Sequence, residues 1–293
     1  MSDTTIINNQ GTMNTENIIQ GAEKYGTPFY LYDEAIILNK CRELLDMPNA
    51  FGLNVRYAMK ANSSKALLQL IHQQGLGIDA SSLNEARRAH MAGIPYQHII
   101  LTSQEVPLDE DREELEMMIG QGLVYNVCSL RQLELIADFA GKNDSPLSMR
   151  VHPGVGSGES VTRNTGDKYS CFGIHLSDLP DALQLVRKKG LLIDMVHVHI
   201  GSGGDPKIWQ ENIDRELHFV KEFFPDVTRV NFGGGLRQGR MPEEVSAQIK
   251  ELGIYAKEKI EGFYEQTRRK LIMEIEPGTY VIAASGYLIT RVI

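Results

Sequence analysis

A lysine among apolar neighbours is the first residue of this sequence that could do covalent chemistry. The strand-like run VRYAMK (55–60) ends in Lys60, and Ala61 follows it. Desolvation disfavours a charged ammonium group, so such a setting would lower the pKa of the lysine and free its amine as a nucleophile. A lysine at a strand end can also simply reach solvent, and Lys60 therefore needs partners before it indicates a function.

Two carboxylates stand close together in the apolar run LIMEIEPG (271–278). One of Glu274 and Glu276 could face outward and be solvated. The other needs a cationic partner, because burying a lone carboxylate is costly. The sequence thus asks which cation meets a glutamate at the end of a buried strand.

Imidazoles and glycines follow two further strand-like runs. In HVHIGSGG (197–204), alternation puts His197 and His199 on one face. Such a pair could bind a metal, although no third ligand of the usual kind is evident, or it could belong to the core. The run RVNFGGG (229–235) ends in three glycines, whose bare backbone amides suit an anion.

Two more charged residues stand at strand ends. Asp79 follows GI in the run GIDAS (77–81), and Arg150 lies in LSMRVHP (147–153). Taken alone, the aspartate reads as a helix cap or turn residue and the arginine as part of an ion pair. Together with Lys60, His199 and Glu276, they would bring positive charges, negative charges and an aromatic ring to one edge.

This combination suits pyridoxal phosphate. A lysine can form a Schiff base with the cofactor, glycines can hold its phosphate, and an imidazole can stack on its ring. A carboxylate such as that of Glu276 can pair with a protonated pyridine nitrogen, which makes the ring a strong electron sink. The cationic partner of Glu276 would then be the cofactor itself.

The elements that must position these residues alternate between strand and helix. Eight short apolar, β-branched runs are separated by longer amphipathic ones. One of these begins at Ser82, which is spaced with Glu85 as a capping box. The pattern predicts an α/β fold, a parallel (β/α)8 barrel of the alanine-racemase-like type; an open doubly wound sheet is the alternative. In such a barrel the active site lies at the carboxyl ends of the strands, where phosphate sites often follow strands 7 and 8.

Three regions are expected along the chain. Residues 1–34 would form an N-terminal helix and strand that pair with a β domain, and residues 35–280 would form the cofactor-binding barrel. Residues 281–293 alternate like a new strand, and we interpret them as the truncated beginning of a C-terminal β domain. An edge strand that simply ends is the alternative. A long charged helix is expected over 242–270.

Composition excludes several classes of protein. The chain has 293 residues, 42% of them hydrophobic and 23% charged, and a net charge of −8. No basic run indicates nucleic acid, no apolar run is long enough to predict a membrane span, and the polar start is not a secretory signal. Three widely spaced cysteines fit neither a disulfide framework nor a zinc site, and suit the cytoplasm.

Six motifs, in order, resemble the fold-type III pyridoxal-phosphate decarboxylases, the group that includes ornithine, arginine and diaminopimelate decarboxylases. The resemblance covers roughly residues 20–293, and the long loop over residues 149–174 is most similar to that of the diaminopimelate enzymes. The motifs are YAMKAN (57–62), IDASSLNE (78–85), MRVHPGVGSGESVTRNTGDKYSCFGI (149–174), HVHIGSG (197–203), NFGGGL (231–236) and EPGTYVIAASGYLITRV (276–292).

The resemblance implies a role for each matching position. Lys60 would bind the cofactor covalently, His199 would stack on its ring, and Glu276 would pair with its pyridine nitrogen. Arg150 would lie near the ring hydroxyl, and Asp79 would support the site. The phosphate would be lined by Ser202, Gly234, Gly235, Gly278 and Thr279. The implied reaction is loss of CO2 from meso-diaminopimelate to give L-lysine.

Two departures from the family pattern stand out. Thr279 occupies the position where the family usually has an arginine, so we expect weaker cofactor affinity than with arginine, since a hydroxyl brings no charge. The Cys and Tyr of the family's C-terminal β domain do not occur in this sequence. If these 293 residues were the whole protein, we would expect decarboxylation to suffer more than cofactor binding; we favour a truncated sequence over a natural single-domain form. Family members are usually dimers, so a homodimer is expected.

Other functions stay open on the sequence alone. A lysine or ornithine decarboxylase, acting on L- or D-amino acids, would share most of the motifs. An alanine-racemase-like enzyme would place a cation opposite the pyridine nitrogen, which Glu276 argues against. A non-catalytic cofactor-binding barrel and a metal-dependent hydrolase using His197 and His199 are the alternatives from other classes.

Overall fold

The computed structural model describes residues 14–152, 154, 170–201, 205–241 and 243–292. An N-terminal segment precedes the main body of the fold. It consists of a helix, a strand and a second helix: α1 (Thr15–Tyr25), β1 (Phe29–Tyr32) and α2 (Glu34–Leu45). The helix and strand expected near the start of the chain are present, and a second helix follows them.

Eight parallel strands close into a barrel, in which each strand pairs with its sequence neighbours and the last pairs with the first. This confirms the (β/α)8 barrel and excludes the open doubly wound sheet, which would leave two edges unpaired. The strands are β2 (Leu53–Ala58), β3 (Gly77–Ala80), β4 (Ile99–Leu101), β5 (Val124–Val127), β6 (Leu147–Arg150), β7 (Ile193–His197), β8 (Arg229–Asn231) and β9 (Ile272–Ile275).

Helices connect the barrel strands. They are α3 (Lys65–Gln73), α4 (Leu83–Met91), α5 (Asp109–Gly120), α6 (Leu130–Lys142), α7 (Leu179–Lys189), α8 (Pro206–Phe223) and α9 (Ile249–Thr267). The helix expected over 242–270 is therefore shorter at both ends. Arg237 and the backbone amide of Arg240 bind the Glu244 carboxylate in a loop before Ile249. Among the described residues, no helix is long and apolar enough to cross a membrane.

Side-chain caps explain where two of these helices begin. The Ser82 hydroxyl accepts the Glu85 amide, as the capping box predicts, but the Glu85 carboxylate accepts from the amide of Ser81 rather than from that of Ser82. Ser129 and Gln132 repeat the arrangement at α6, where Gln132 accepts from the Cys128 amide. Both boxes fix the loop that leaves the carboxyl end of a barrel strand.

The chain after β9 forms a helical turn, α10 (Thr279–Ile282), and a strand, β10 (Gly286–Ile289), which pairs antiparallel with β1. The alternating pattern at the end of the chain therefore forms a strand, but only after a helical turn that follows the last strand of the barrel. The pairing joins two segments that are distant in sequence. The division into domains at residues 34 and 280 remains a prediction.

The barrel separates an apolar layer from a polar interior. Side chains alternate across each strand, and one set packs beneath the helices, including Val55, Ile78, Leu101, Val127, Met149, Val196, Val230 and Ile275. The opposite set is largely polar and buried: Arg56, Asp79, Asn126, Ser148, Arg150, His197, Asn231 and Glu274. Asn126 and His197 touch although β6 lies between their strands, which places both inside the barrel.

Glu274 is buried inside the barrel, and the expectation that one of the two glutamates faces solvent is wrong. Residues two apart in a strand share a face, so Glu274 and Glu276 both point inward. Arg56 donates to Glu274 at 2.8 Å and Arg229 at 2.7 Å from the strands on either side. Burial alone would raise the pKa of Glu274, but the two guanidinium groups outweigh it and hold the pKa below its ordinary value.

We expect Glu274→Gln to lower the free energy of unfolding by about 3–5 kcal/mol, since it leaves buried guanidinium groups without their shared carboxylate. The side-chain volume is unchanged, so the loss would report charge rather than packing. Urea unfolding measures it. The matched control is Glu134→Gln, which breaks an exposed ion pair with Arg131 and should cost less than about 1 kcal/mol. Equal losses in the two variants would contradict this account.

Candidate active site

The predicted site residues lie at the carboxyl ends of the barrel strands, but mostly in the loops just beyond them. Lys60 belongs to a short 3-10 turn, Met59–Ala61, because β2 ends at Ala58. Glu276 and His199 likewise follow the last residues of their strands. The strands end early because the chain must turn outward into the helices. Side chains at these turns face the mouth of the barrel.

Lys60 and Asp79 form the first pair of the site. Nζ of Lys60 lies 3.5 Å from Oδ2 of Asp79, and the lysine side chain is 55% exposed while the aspartate is 2% exposed. The expectation that apolar neighbours desolvate Lys60 is therefore wrong. Those neighbours pack away from the mouth, as Met59 does in the core. The lysine reaches into the open mouth and is positioned by a buried carboxylate.

Burial raises the pKa of Asp79 above its ordinary value, and the nearby charge of Glu276 adds to this effect. Lys60 opposes both and favours the ionised form. Oδ1 of Asp79 is buried and has no hydrogen-bond partner among the described residues. An acceptor of this kind is costly to leave unmatched, so it points to a molecule that donates to it.

Glu276 is 5% exposed, and one of its two carboxylate oxygens accepts a hydrogen bond from the described residues. Asn231 donates to Oε1 at 2.7 Å, and Nε2 of His197 lies 3.3 Å from Oε2. Burial would raise the pKa of Glu276, but His197 and then Lys60 outweigh it, and the pKa lies below its ordinary value. The site therefore presents a carboxylate whose charge the protein maintains without a direct ion pair to arginine.

Two of the three glycines, Gly233 and Gly234, pack against His199. Gly233 has a φ of +66°, and a Cβ there would lie 2.7 Å from Nδ1 of the imidazole. The Gly234 amide donates to that same nitrogen at 3.1 Å. A Cβ on Gly234 would lie 2.7 Å from the carbonyl oxygen of Glu276. Gly234 is thus required for close packing, and its amide is already engaged inside the protein.

His199 is a neutral aromatic ring in this setting. Burial lowers its pKa well below the ordinary value, and the neighbouring cations Arg150 and Lys60 lower it further. Because Nδ1 accepts from Gly234, the proton of the neutral ring lies on Nε2. The loop therefore fixes both the orientation and the tautomer of the imidazole.

Arg150 lies at the end of β6 with 5% of its surface exposed. Its guanidinium group lies 5.1 Å from the centroid of the Phe172 ring, and its Nη2 has no hydrogen-bond partner among the described residues. A buried guanidinium donor without an acceptor is costly. Like the unmatched oxygen of Asp79, it indicates a polar ligand in the mouth of the barrel.

Gly278 and Thr279 lie where the chain leaves β9. A Cβ on Gly278 would lie 3.2 Å from the carbonyl oxygen of Ala58 and 3.3 Å from Cβ of Ala61, so the glycine allows this loop to approach the turn that carries Lys60. Thr279 is exposed at the start of α10. Gly235, with a φ of +89°, packs against the carbonyl oxygen of Gly201. Ser202 lies outside the described residues.

A polar network behind Glu276 was missed by the sequence reasoning. Asn126 contacts His197, Thr102 and Ser148. Asn231 donates to Glu276 and accepts from the Gly233 amide at 2.9 Å. The signal available in the sequence was the two-residue alternation of each strand. Asn126, Ser148, His197 and Asn231 stand at inward positions of their strands, and Thr102 directly follows β4.

The histidine pair is not arranged as a metal site. Within the described ranges, no three His, Cys, Asp or Glu side chains are close enough together to hold a metal ion. His197 contacts Asn126 and Glu276, and His199 packs on the glycine loop. The two rings lie 6.3 Å apart between centroids. Cys41 and Cys128 are buried and Cys171 is exposed, all three as free thiols.

Comparison with known proteins identifies the same region as a cofactor domain. Residues 37–283 match the family described as pyridoxal-dependent decarboxylase, pyridoxal binding domain. The matched range includes every predicted site residue from Lys60 to Thr279.

Individual relatives agree with this match. Diaminopimelate decarboxylase of Escherichia coli K12 is 31% identical over 287 residues, which is 96% of this chain and 65% of the relative. A crystal structure of a diaminopimelate decarboxylase superposes with a TM-score of 0.80 at 28% identity, covering 93% of this chain and 63% of that one. The M. jannaschii enzyme in complex with L-lysine gives 0.78 at 25% identity, with coverage of 92% and 65%. The chain thus spans less than two thirds of the length of these relatives.

Asp79→Asn should stabilise the cofactor-free protein at high pH and not at low pH. An unfolded aspartate titrates near pH 3.9. Burial raises the folded pKa, so the unfolded chain loses its proton first and stability falls as the pH rises toward the folded pKa. Asparagine has no such cost. We expect the variant to be more stable than the parent by about 1–3 kcal/mol at pH 8 and about equally stable at pH 4.

Urea unfolding of both proteins at the two pH values measures this difference. The difference between the proteins isolates Asp79, because all other groups titrate in both. A variant that is less stable than the parent at pH 8 would show that Lys60 fully compensates the buried charge.

Proposed function

Because the chain belongs to the pyridoxal-dependent decarboxylase family, we propose that its barrel binds pyridoxal phosphate to remove a carboxylate from Cα of an amino acid. The observation that carries the proposal is the buried carboxylate of Glu276 at the same mouth as Lys60, where its neighbours hold its pKa below the ordinary value. A protein does not maintain an isolated buried carboxylate without a partner for its charge. A protonated pyridine nitrogen would be that partner.

The residues present fit this cofactor. Lys60 would bind it covalently, Glu276 would hold its ring nitrogen, and His199 would cover one ring face as a neutral imidazole. Asp79 and Arg150 carry the buried polar atoms that lack partners, and a polar ring substituent would match them. The phosphate would be lined by Gly234, Gly235, Gly278, Thr279 and Ser202. When bound, the cofactor would supply a sink for the electron pair released when the carboxylate leaves.

The protein groups have distinct tasks around that chemistry. The half-exposed Lys60 amine is free to reach the mouth, and Asp79 keeps it directed there. Neutral His199 presents an aromatic face without adding a second positive charge. The stabilised Glu276 carboxylate favours a protonated ring nitrogen, which strengthens electron withdrawal from Cα. This arrangement favours decarboxylation over racemase chemistry, which needs a weaker sink.

We propose meso-diaminopimelate as the substrate. Its Cα–carboxylate bond would break, CO2 would leave, and a proton would take its place, giving L-lysine. Support comes from the diaminopimelate decarboxylase of E. coli and from the M. jannaschii relative solved with L-lysine. A lysine or ornithine decarboxylase is the second candidate, and the cofactor-only barrel is the third. A homodimer, a cytoplasmic location and the three-region division of the chain belong to the same proposal.

Borohydride reduction followed by peptide mapping tests the cofactor site. Protein incubated with pyridoxal phosphate should show a visible absorption band, and reduction should leave a pyridoxyl group on Lys60. Lys60→Ala should abolish the band, while Lys65→Ala, which changes an exposed lysine at the start of α3, should keep it. A band that survives in Lys60→Ala would place the covalent residue elsewhere.

Product analysis then tests the reaction. The loaded protein is incubated separately with meso-diaminopimelate, L-lysine and L-ornithine, and products are identified by mass spectrometry. Lysine formed from diaminopimelate alone supports the proposed substrate. A diamine formed from lysine or ornithine would favour the second candidate. A trapped cofactor with no product from any substrate would favour the non-catalytic barrel.

A further inference from the structure

His197 is a buried residue that lies beside Glu276 and has no role in the proposed function so far. It lies at the end of β7 and is 1% exposed. Its Nδ1 lies 2.6 Å from Nδ2 of Asn126. Its Nε2 is buried, makes no hydrogen bond within the described residues, and lies 3.3 Å from Oε2 of Glu276, the carboxylate oxygen that Asn231 leaves open. The imidazole thus bridges the middle of the barrel interior and the carboxylate at its mouth.

The chemistry of its partners fixes where His197 carries its proton. An ionised carboxylate only accepts hydrogen bonds, so the nitrogen that faces Glu276 must carry a hydrogen. The other nitrogen faces the amide group of Asn126, which donates to it in the observed orientation. Both conditions are met by one species, the neutral imidazole with its hydrogen on Nε2.

The orientation of Asn126 is itself fixed by two further contacts. Its Nδ2 also donates to Oγ1 of Thr102 at 3.1 Å, and its Oδ1 accepts from the hydroxyl of Ser148 at 2.8 Å. Reversing the amide would turn its oxygen toward Nδ1 and require a hydrogen on both imidazole nitrogens. Burial lowers the pKa of His197 and disfavours that cation, although Glu276 draws the pKa upward. The observed orientation is therefore the consistent one.

The other oxygen of the Glu276 carboxylate, Oε1, accepts a hydrogen bond from an asparagine. Asn231 donates to Oε1, and its own oxygen accepts from the Gly233 amide. The backbone amide of Asn231 donates to the carboxylate of Glu216, a fully buried residue of α8. Glu276 therefore accepts from Asn231 of β8 at one oxygen and has the imidazole of His197 of β7 at 3.3 Å from the other.

We propose that His197 is a positioning residue, which acts through Glu276 by donating from Nε2 and so fixes the carboxylate that faces the cofactor ring. This inference rests on the proposed function for its purpose, but its geometric content does not require the cofactor. The other charged or titratable groups near His197 are Arg150, Lys60 and His199. A buried arginine would neutralise the carboxylate, whereas a neutral imidazole directs it and leaves its charge in place.

Imidazole nitrogen NMR of the cofactor-free protein tests the proton position directly. Long-range correlations from nitrogen-15-labelled histidine distinguish the two neutral tautomers and the cation. The signals of His197 are those that vanish in His197→Gln. We expect a neutral ring with its hydrogen on Nε2 at pH 7. A hydrogen on Nδ1 would overturn the proposal, and so would a doubly protonated ring.

Cofactor affinity tests the positioning role. His197→Phe keeps the ring volume and removes both nitrogens, so we expect pyridoxal phosphate to bind about tenfold more weakly. His197→Gln can still donate toward Glu276 and should recover most of that loss. His218→Gln changes an exposed histidine of α8 and should bind like the parent. Equal losses in the Phe and Gln variants would show that only ring packing matters and would overturn the role.

The two measurements separate this inference from the proposed function. If the parent protein binds no pyridoxal phosphate but shows the Nε2 tautomer, the proposed function fails, while the inference that His197 directs a hydrogen toward Glu276 remains. If the parent binds the cofactor and the tautomer is wrong, the positioning role fails alone.

Discussion

The buried carboxylate of Glu276 is the constraint on which the site depends. A carboxylate inside a protein keeps its charge only where donors and cations offset the loss of water. Here the Asn231 amide donates to one oxygen, Nε2 of His197 lies 3.3 Å from the other, and Lys60 lies close enough to lower the pKa of the carboxylate. No arginine of the described chain pairs with it. The charge is thus left available for a cationic ligand, which is what a protonated pyridine ring would be.

The contrast with Glu274 shows how the barrel sorts its interior by depth. Two residues earlier on the same strand, Glu274 is fully neutralised by Arg56 and Arg229. Gly77 gives the first of these room, because an added Cβ would lie 3.3 Å from Cγ of Arg56. Charges pair off toward the amino ends of the strands, neutral amides occupy the middle, and unmatched polar atoms collect at the mouth. A rigid base therefore supports a site whose charge is not yet balanced.

Periodicity and turn chemistry made the barrel and the identity of most rim residues predictable, since strand ends and glycines are local signals. What could not be read locally depended on the closed barrel. The exposure of Lys60 follows from a 3-10 turn that ends its strand early, and the inward direction of Glu274 needed strict two-residue alternation. Asn126 and His197 meet only because β5 and β7 curve around a common interior. Cross-barrel contacts of this kind have no signature within any one segment.

The protonation state of the bound ring nitrogen tests the central claim most directly. Pyridoxal phosphate labelled with nitrogen-15 in its ring can be bound to the protein and its chemical shift measured by NMR at pH 8. We expect the chemical shift of a protonated pyridinium in the parent protein and that of a neutral pyridine in Glu276→Gln. A neutral ring in the parent protein would contradict it, because Glu276 would then be a buried carboxylate without the cation that explains it.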